Sequence, residues 1–172
     1  EQALTAGAID VTLPGAPVIR GRVHPSTQTL RRITSIFGQM GFEVYRSPDV
    51  ETDEMNFELP NMPEEHPARD MWDTFYTTKP GVILRTHTSP GQIRSMRDFG
   101  ENGTKPIRVV LPGMVYRYEQ VTARSEMQFN QVEGIAIGRN ITMADLKGTM
   151  TEFARRMYGG KAKMRFRGSY FP

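Results

Sequence analysis

The sequence predicts an α+β fold in which an antiparallel sheet is flanked by helices. Two segments with helical periodicity, at residues 25–40 and 142–157, enclose most of the chain. Several short segments of alternating or continuous apolar residues lie between them, which is typical of strands. The order of helix, strands, helix and strand favours α+β over a parallel α/β fold, and the 172 residues are enough for about one domain.

The first half of the chain predicts one helix and one strand. Pro25 is expected to open the helix and Gly41 to end it. The apolar face of this helix consists of Leu30, Ile33, Ile36, Phe37 and Met40. Residues 42–45 alternate like a strand that stops before Pro48. Residues 49–73 are acidic and proline-rich, and we expect a long loop there.

The middle of the chain predicts most of the sheet. Four strands are expected, at residues 82–84, 107–111, 114–119 and 128–137. Ser89 is placed as the N-cap of a helix that begins at Pro90 and runs to about Asp98. A polar loop at residues 120–126 connects the last two strands.

The last part of the chain predicts a second long helix and a final strand. Thr142 and Asp145 have the spacing of a capping box. The predicted core stripe of this helix consists of Leu146, Met150, Phe153 and Met157. Gly159 is expected to end the helix, and residues 163–166 are expected to form a strand.

The composition excludes several classes of protein. Hydrophobic residues make up 38% and charged residues 24%, which is unlike a disordered chain, a collagen or a coiled coil. No apolar run approaches the ~18–20 residues that span a bilayer, and no signal peptide is visible. The absence of cysteine excludes disulfides and thiolate chemistry. The three histidines, His24, His66 and His87, are too scattered to predict a metal site.

The charges are unevenly distributed along the chain. Residues 41–75 carry a net charge of −8 and residues 101–172 a net charge of +6. Residues 155–167 hold six basic residues and no acidic one. Such a segment suits an anionic partner, such as a nucleotide or a nucleic acid, and it equally suits a solvated helix end.

The predicted hairpin at residues 114–137 carries a polar cluster. Arg117 and Glu119 are two residues apart, as are Gln131 and Glu133, so each pair shares one face of its strand. An arginine neutralises a phosphate, while a carboxylate and an amide accept from an ammonium group or a hydroxyl. This face is either the solvated side of the sheet or the floor of a binding site.

Residues 84–92, with the sequence LRTHTSPGQ, form a second cluster. Three hydroxyls, His87 and Gln92 surround the start of a predicted helix, where free N–H groups attract an anion. The alternative is a helix cap with a structural histidine. No Ser-His-Asp arrangement is implied, because no separate acid that would orient His87 is evident.

Four motifs resemble, in the same order, the α-subunit family of phenylalanyl-tRNA synthetase. They are HPARDMWDTFY at 66–76, LRTHTSP at 84–90, FNQVEG at 129–134 and RGSYFP at 167–172. Asn56-Phe57 and Gly41-Phe42 fit as well, and the resemblance extends over nearly the whole chain. The chain therefore resembles class II aminoacyl-tRNA synthetases, whose catalytic core is an antiparallel sheet flanked by helices.

The resemblance implies nucleotide contacts on the hairpin. The helix from Pro25 with its following strand looks like motif 1, and the hairpin looks like motif 2. Arg117 matches the catalytic arginine that holds the ATP α-phosphate and the amino acid carboxylate. Glu119 matches the acid that meets the adenine amino group, and Phe129 the ring that stacks on adenine. Arg124 stands beside the place of the family's histidine, and we expect it to supply the phosphate contact.

The resemblance also implies a phenylalanine site. Three residues match those around phenylalanine and its adenylate: His87, Ser89 and Gln92. Gln131 and Glu133 match the residues that receive its ammonium group. Phe171 matches the first of two rings that pack edge-to-face on the substrate side chain.

The implied reaction is the ATP- and Mg²⁺-dependent activation of L-phenylalanine and its transfer to the phenylalanine tRNA. The implied partners are that tRNA and a β subunit, in an α2β2 heterotetramer, with no membrane and a cytoplasmic location. No metal ligand is assigned within the chain.

We expect a partial catalytic domain, with residues 1–22 as an extended entry segment and residues 23–172 as the core with motifs 1 and 2. The sequence stops before motif 3 and the second pocket aromatic, so we expect this piece to be inactive alone and to self-associate. The alternative function is a non-catalytic paralogue that acts as a binding or regulatory module. The presence of Arg117, Gln131 and Glu133 favours the synthetase, and Phe171 disfavours a sister enzyme for O-phosphoserine.

Overall fold

The computed structural model describes residues 12, 14–15, 21–62, 65 and 74–169. The helices are α1 (Pro25–Gln39), α2 (Pro90–Phe99) and α3 (Met143–Tyr158). The strands are β1 (Glu43–Val44), β2 (Val50–Thr52), β3 (Val82–Leu84), β4 (Ile107–Tyr116) and β5 (Gln128–Ile137). A π-helical turn spans Glu54–Glu58 and a 3₁₀ turn spans Glu101–Gly103. In these described ranges, no helix is long and apolar enough to cross a lipid bilayer.

The strands form two small sheets. The first has the order β1-β4-β5, with β4 and β5 antiparallel over ten residue pairs. The second pairs β2 with β3, also antiparallel. The predicted α+β class is confirmed, but β1 runs parallel to β4 at the edge of the first sheet. The parallel pairing is possible because the long connection through residues 45–106 can carry the chain back to the starting side of the sheet.

Strand β4 is continuous through Pro112-Gly113, so the prediction of two separate strands at 107–111 and 114–119 is wrong. The backbone N–H of Tyr45 donates to the carbonyl of Val110 on the β1 side of β4. Pro112 is two residues after Val110, so its backbone nitrogen also points toward β1 and away from β5. Its missing N–H therefore interrupts no hydrogen bond to β5, which explains why a proline is tolerated here.

The predicted loop at residues 49–73 is wrong for its first part, which forms β2 and the π-helical turn. The buried residue of β2 is Glu51, whereas Val50 is exposed. Arg94 on α2 holds the Glu51 carboxylate through two hydrogen bonds of 2.7 Å. A strand is normally recognised in a sequence by buried apolar residues that alternate with exposed polar ones. Strand β2 has the opposite arrangement, with a buried acid and an exposed valine.

The two long helices have the predicted ends. His24 Nδ1 accepts from the Ser26 N–H ahead of α1, and Gly41 follows at a φ of 83°. Thr142 and Asp145 form the predicted capping box of α3, which ends at Gly159 with a φ of 94°. The strand predicted at 163–166 is wrong, since residues 163–169 have no regular secondary structure. No described strand lies beside this segment to pair with it.

Apolar packing is concentrated where the helices meet the sheets. Ile107, Val109 and Leu111 of β4 form one buried cluster, and Phe57, Met62 and Ile83 form another. Phe37 of α1 stacks on Phe153 of α3 at a centroid distance of 4.8 Å. The predicted stripe of α3 is only partly buried, and Leu146 is 54% exposed. The stripe borders a groove of about 900 Å³ between α1, α3 and β5.

Candidate active site

Residues 85–92 lie across one face of the β4–β5 hairpin and are anchored there by Arg85. The Arg85 side chain is 2% exposed. Its Nε donates to the Met114 carbonyl at 2.8 Å, and Nη2 donates to Asp49 Oδ1 at 2.8 Å. Nη1 donates to the Ser47 hydroxyl at 2.8 Å and to the Ser47 carbonyl at 3.1 Å. The guanidinium thereby connects three separate segments of the chain.

Gly113 makes the position of Arg85 possible. A Cβ atom at residue 113 would lie 2.0 Å from Arg85 Nη2, closer than any non-bonded contact allows. Burial lowers the pKa of Arg85, and the charge of Asp49 opposes that shift. Sequence reasoning did not single out Arg85. The sequence did hold one signal: an arginine directly follows the buried strand β3. A charge at such a position requires hydrogen-bond or ionic partners, which would have marked Arg85 as part of a polar network.

Glu133 connects the polar cluster on the hairpin with the cluster at residues 84–92, which the sequence analysis treated separately. Its Oε1 accepts from the Thr88 N–H at 3.1 Å. Its Oε2 accepts from the Ser89 hydroxyl at 2.7 Å and from Gln92 Nε2 at 2.5 Å. Three of the roughly four acceptor positions of the carboxylate are therefore filled by protein donors.

The anion expected at the start of α2 is thus the side chain of Glu133, supplied by the protein itself. Ser89 lies at the N-cap position of α2, but its side chain makes no capping hydrogen bond there. Its backbone is helical, with a φ of −59° and a ψ of −29°, whereas a capping serine is typically extended, and its hydroxyl donates to Glu133. The N–H groups of Gly91 and Gln92 donate to the carbonyls of Thr88 and Ser89.

Arg117 and Phe129 lie together where the strands of the hairpin meet its connecting loop. The Arg117 guanidinium carbon is 5.1 Å from the centre of the Phe129 ring, within the range of a cation–π contact. Arg117 Nε donates to the Thr86 carbonyl at 3.1 Å. In the register, Gly113 opposes Gln131 and Leu111 opposes Glu133, so Gln131 and Glu133 share one face as predicted, and Phe129 has the same parity.

Glu119 does not join this group. Strand β4 ends at Tyr116, and the Glu119 N–H donates to the Arg117 carbonyl at 2.8 Å in a tight turn. The prediction that Glu119 lies on the strand is therefore wrong, and its side chain is exposed. Arg124 is also exposed, at the tip of the loop, where its backbone N–H donates to the Thr122 hydroxyl at 3.1 Å.

His87 is held as a buried neutral side chain. It is 3% exposed, and its Nδ1 accepts from the Ser89 N–H at 3.2 Å. Phe57 packs against the ring in a T-shaped contact at 6.4 Å. Burial lowers the pKa of His87 to about 4, with Arg117 acting in the same direction and Glu133 against it. This geometry favours the structural histidine over a proton-transfer group at neutral pH.

Two polar atoms in this region have no hydrogen-bond partner among the described residues. They are the hydroxyl oxygen of Thr88 and Oε1 of Gln131, both buried. An unsatisfied buried polar atom costs about 1–3 kcal/mol, so native proteins rarely keep one without a ligand or a water molecule. Both atoms can accept a hydrogen bond. Gln131 is two residues from Glu133 on β5, and the Thr88 N–H donates to the Glu133 carboxylate. The region can therefore receive a cationic donor.

Comparisons with known proteins show the family of this chain. The family model of the class II core domain of tRNA synthetases (F) matches residues 8–172. The chain belongs to this family of synthetase core domains. It is 61% identical over 176 residues to the phenylalanine–tRNA ligase alpha subunit of Roseiflexus castenholzii. It is 49% identical over 172 residues to the same subunit of Geobacillus kaustophilus.

The alignments to these relatives cover the whole of this chain but only part of each relative. All of this chain is covered, against 50% of the Roseiflexus subunit and 49% of the Geobacillus subunit. The chain thus spans about half the length of the curated relatives it matches. Pyrrolysyl-tRNA synthetase from Desulfitobacterium hafniense has a similar structure, with a TM-score of 0.61 at 20% identity. That match covers 77% of this chain and 46% of the other, and it supports the synthetase core fold.

Some residues that the family resemblance singled out cannot be placed. Phe171 and residues 66–73 lie outside the described residues. The described part of the chain contains no group of three or more His, Asp or Glu side chains that could hold a metal ion. The assignments of Phe171 and of the remaining site residues to individual ligand contacts stay predictions.

The basic segment at residues 155–167 has two parts in this synthetase core. Arg155 and Arg156 both pair with Glu152 on α3, through hydrogen bonds that hold the pKa of Glu152 at about 2. The remaining basic side chains, Lys161, Lys163, Arg165 and Arg167, are exposed. The solvated-helix interpretation therefore fits the two arginines, and an anionic partner stays a prediction for the other four residues.

Proposed function

We propose that the full-length protein containing this chain is a phenylalanine–tRNA ligase and that the chain is part of its catalytic α subunit. The names of the relatives support this activity. The observation that carries it is the arrangement of one arginine and several acceptors on one face. Arg117 lies at the loop end of the hairpin, Gln131 and Glu133 lie further along β5, and Thr88 contacts Glu133 from the segment 85–92.

This arrangement suits an amino acid that meets a nucleotide. The ammonium group of phenylalanine would donate to Gln131, to Glu133 and to the Thr88 hydroxyl. Its carboxylate would lie toward Arg117, which would also contact the ATP α-phosphate. Phe129 would stack on adenine and Glu119 would accept from the adenine amino group. Arg124 would reach the distal phosphates from the exposed loop.

The reaction requires little covalent chemistry from the protein. The phenylalanine carboxylate attacks the α-phosphorus of ATP, and pyrophosphate leaves with the electrons of the broken P–O bond. Mg²⁺ enters as part of the MgATP substrate. Arg117 stabilises the charge that develops on the phosphoryl oxygens, and the hydrogen-bonded floor fixes the amino acid for attack. Acyl transfer to the tRNA then follows, with a β subunit as the expected partner.

The test is phenylalanine-dependent ATP–pyrophosphate exchange by the full-length protein with its β subunit. Arg117→Ala should lower the exchange rate at least ~10²-fold, as expected for the loss of one transition-state donor. Arg108→Ala is the matched control. Arg108 is an exposed arginine near the start of β4, with the opposite parity to Arg117, and its loss should leave exchange unchanged.

The outcomes separate the candidate functions. A wild-type protein that binds phenylalanine without catalysing exchange would be a binding module, and the ligase proposal would be rejected. Exchange that survives Arg117→Ala would remove that residue from its role in phosphoryl transfer.

A further inference from the structure

The π-helical turn Glu54–Glu58 has an unusual burial pattern. Met55, Asn56 and Phe57 are consecutive in sequence and all three are buried. Three successive side chains of an α-helix are spread over about 200° of its surface, because each residue turns the helix by about 100°. Here the turn is wider, since it is closed by the Leu59 N–H donating to the Glu54 carbonyl at 3.0 Å. The wider turn brings the three side chains closer to one direction. Single π-helical turns are frequent at functional sites.

Asn56 is fully buried, with 0% exposure, and its side chain is devoted to one residue. Asn56 Nδ2 donates to the Thr86 hydroxyl at 3.0 Å. Asn56 Oδ1 accepts from the Thr86 backbone N–H at 3.2 Å. These two bonds hold the Thr86 side chain and the peptide group that joins residues 85 and 86, so they restrain the backbone of Thr86, which is itself 0% exposed.

Thr86 is also the residue that holds Arg117. The Thr86 carbonyl accepts from Arg117 Nε at 3.1 Å. This carbonyl belongs to the next peptide group and is linked through the Thr86 Cα atom to the groups that Asn56 holds. Because a hydrogen bond to Nε constrains the planar guanidinium, a backbone shift at Thr86 would disturb the orientation of Arg117.

We propose that Asn56 is a positioning residue for Arg117, acting through Thr86. Asn56 touches no substrate in this assignment. It fixes the carbonyl that orients the guanidinium toward the reacting phosphate. The inference rests on the proposed function, since it presupposes that Arg117 acts in phosphoryl transfer. An error of about 1 Å in such an arrangement can cost on the order of 10²-fold in rate.

The test is a double-substitution cycle in the full-length protein with its β subunit, measured by ATP–pyrophosphate exchange. Asn56→Leu keeps the approximate volume and removes both hydrogen bonds. It should lower kcat by about tenfold or more, with a change of less than about threefold in the KM for ATP. In an Arg117→Ala background the same substitution should change kcat by less than about twofold, because the group it positions is gone.

Further variants separate positioning from stability. Thr86→Val removes the hydroxyl that Asn56 binds and should reproduce the fall in kcat, whereas Thr86→Ser keeps all three bonded groups and should preserve it. Thr86→Val also provides the cycle if Asn56→Leu does not fold. Met62→Ala is the matched control. It opens a cavity in the apolar cluster beside the turn, so it should lower the melting temperature without lowering kcat.

The results distinguish this inference from the function on which it rests. Losses for Asn56→Leu and Arg117→Ala that multiply would show that Asn56 does not act through Arg117. Suppose that Met62→Ala has the same melting temperature as Asn56→Leu and loses as much kcat. Asn56 would then act through stability alone and would not be a positioning residue. An Arg117→Ala enzyme with full exchange would instead reject the proposed function.

Discussion

The β4–β5 hairpin has two regions that are built differently: the part that contacts residues 85–92, which we call the base, and the connecting loop. In the base, Glu133 and Arg117 are tied to the segment 85–92 by hydrogen bonds that cross more than thirty positions in sequence. In the connecting loop, the hydrogen bonds of the described residues are local, such as the Thr122 N–H donating to the Ser125 carbonyl at 3.0 Å. The base is therefore arranged before any ligand arrives, and the described loop residues have no comparable hydrogen-bond support.

This difference has an energetic meaning. A preorganised polar group does not have to be reoriented when charge develops, whereas an exposed side chain must be ordered at a cost in entropy. We therefore expect substitutions at the base to change stability and catalysis strongly, and substitutions in the loop to have small and selective effects.

The largest effect is expected from crowding the base. Gly113→Ala would place a Cβ atom 2.0 Å from the buried Arg85 guanidinium, and it should destabilise the protein by about 3 kcal/mol. Thermal unfolding measures the loss. Gly148→Ala is the control, since a Cβ atom there meets no heavy atom within 4 Å in α3 and should stabilise by roughly 0.5–1 kcal/mol. Equal melting temperatures for the two variants would contradict the close packing at the base.

The base should also impose a pH dependence on stability. His87 has a pKa of about 4 in the folded protein, below the ordinary value of 6.5. Between these values the unfolded chain binds a proton that the folded protein does not, so stability falls as the pH is lowered from 6.5 to 4 and changes no further below that window. The contribution is at most on the order of 3 kcal/mol.

Unfolding free energies from pH 4 to pH 8 measure this slope. His87→Gln should flatten it, whereas the exposed His24 can be replaced by Asn without removing it. A slope that is unchanged in His87→Gln would assign the pH dependence to other groups.

Removing the charge at the centre of the base should weaken phenylalanine binding. Glu133→Gln replaces the carboxylate that accepts from Thr88, Ser89 and Gln92, and it should raise the KM for phenylalanine about 10- to 100-fold. Steady-state exchange with varied phenylalanine measures it. Glu126→Gln, at an exposed position of the loop, should leave that constant unchanged. A similar effect of both variants would mean that net charge, and not the hydrogen-bonded floor, is responsible.

The smallest effect is expected in the loop. Arg124→Ala removes an exposed cation and should raise the KM for ATP by about three- to tenfold, since a screened surface contact contributes about 1 kcal/mol. The KM for phenylalanine should change little. An equal rise in both constants would place Arg124 in the supported base, and no rise in either would mean that the loop is solvated during activation.

Helix ends, strand β5 and the family resemblance were readable from sequence because their signals are local. The capping box at Thr142 and the alternation of residues 128–137 depend on neighbours a few positions apart. The errors occurred where a distant partner overrides the local pattern. Glu51 is buried because Arg94 reaches it, and the hydroxyl of Ser89, at the N-cap position, donates to the distant Glu133.

The sequence by itself predicted the α+β class, both long helices, β5, and the candidate residues on the hairpin and in the segment 84–92. Only the tertiary structure decided that the segment 85–92 and the hairpin form one polar network, with Glu133 at its centre and Arg85 beneath it. It also decided that Asn56, delivered by a π-helical turn, holds the residue that orients Arg117. The physical reason is that burial and hydrogen bonding of polar groups depend on which distant segments meet, and local periodicity carries no information about that meeting.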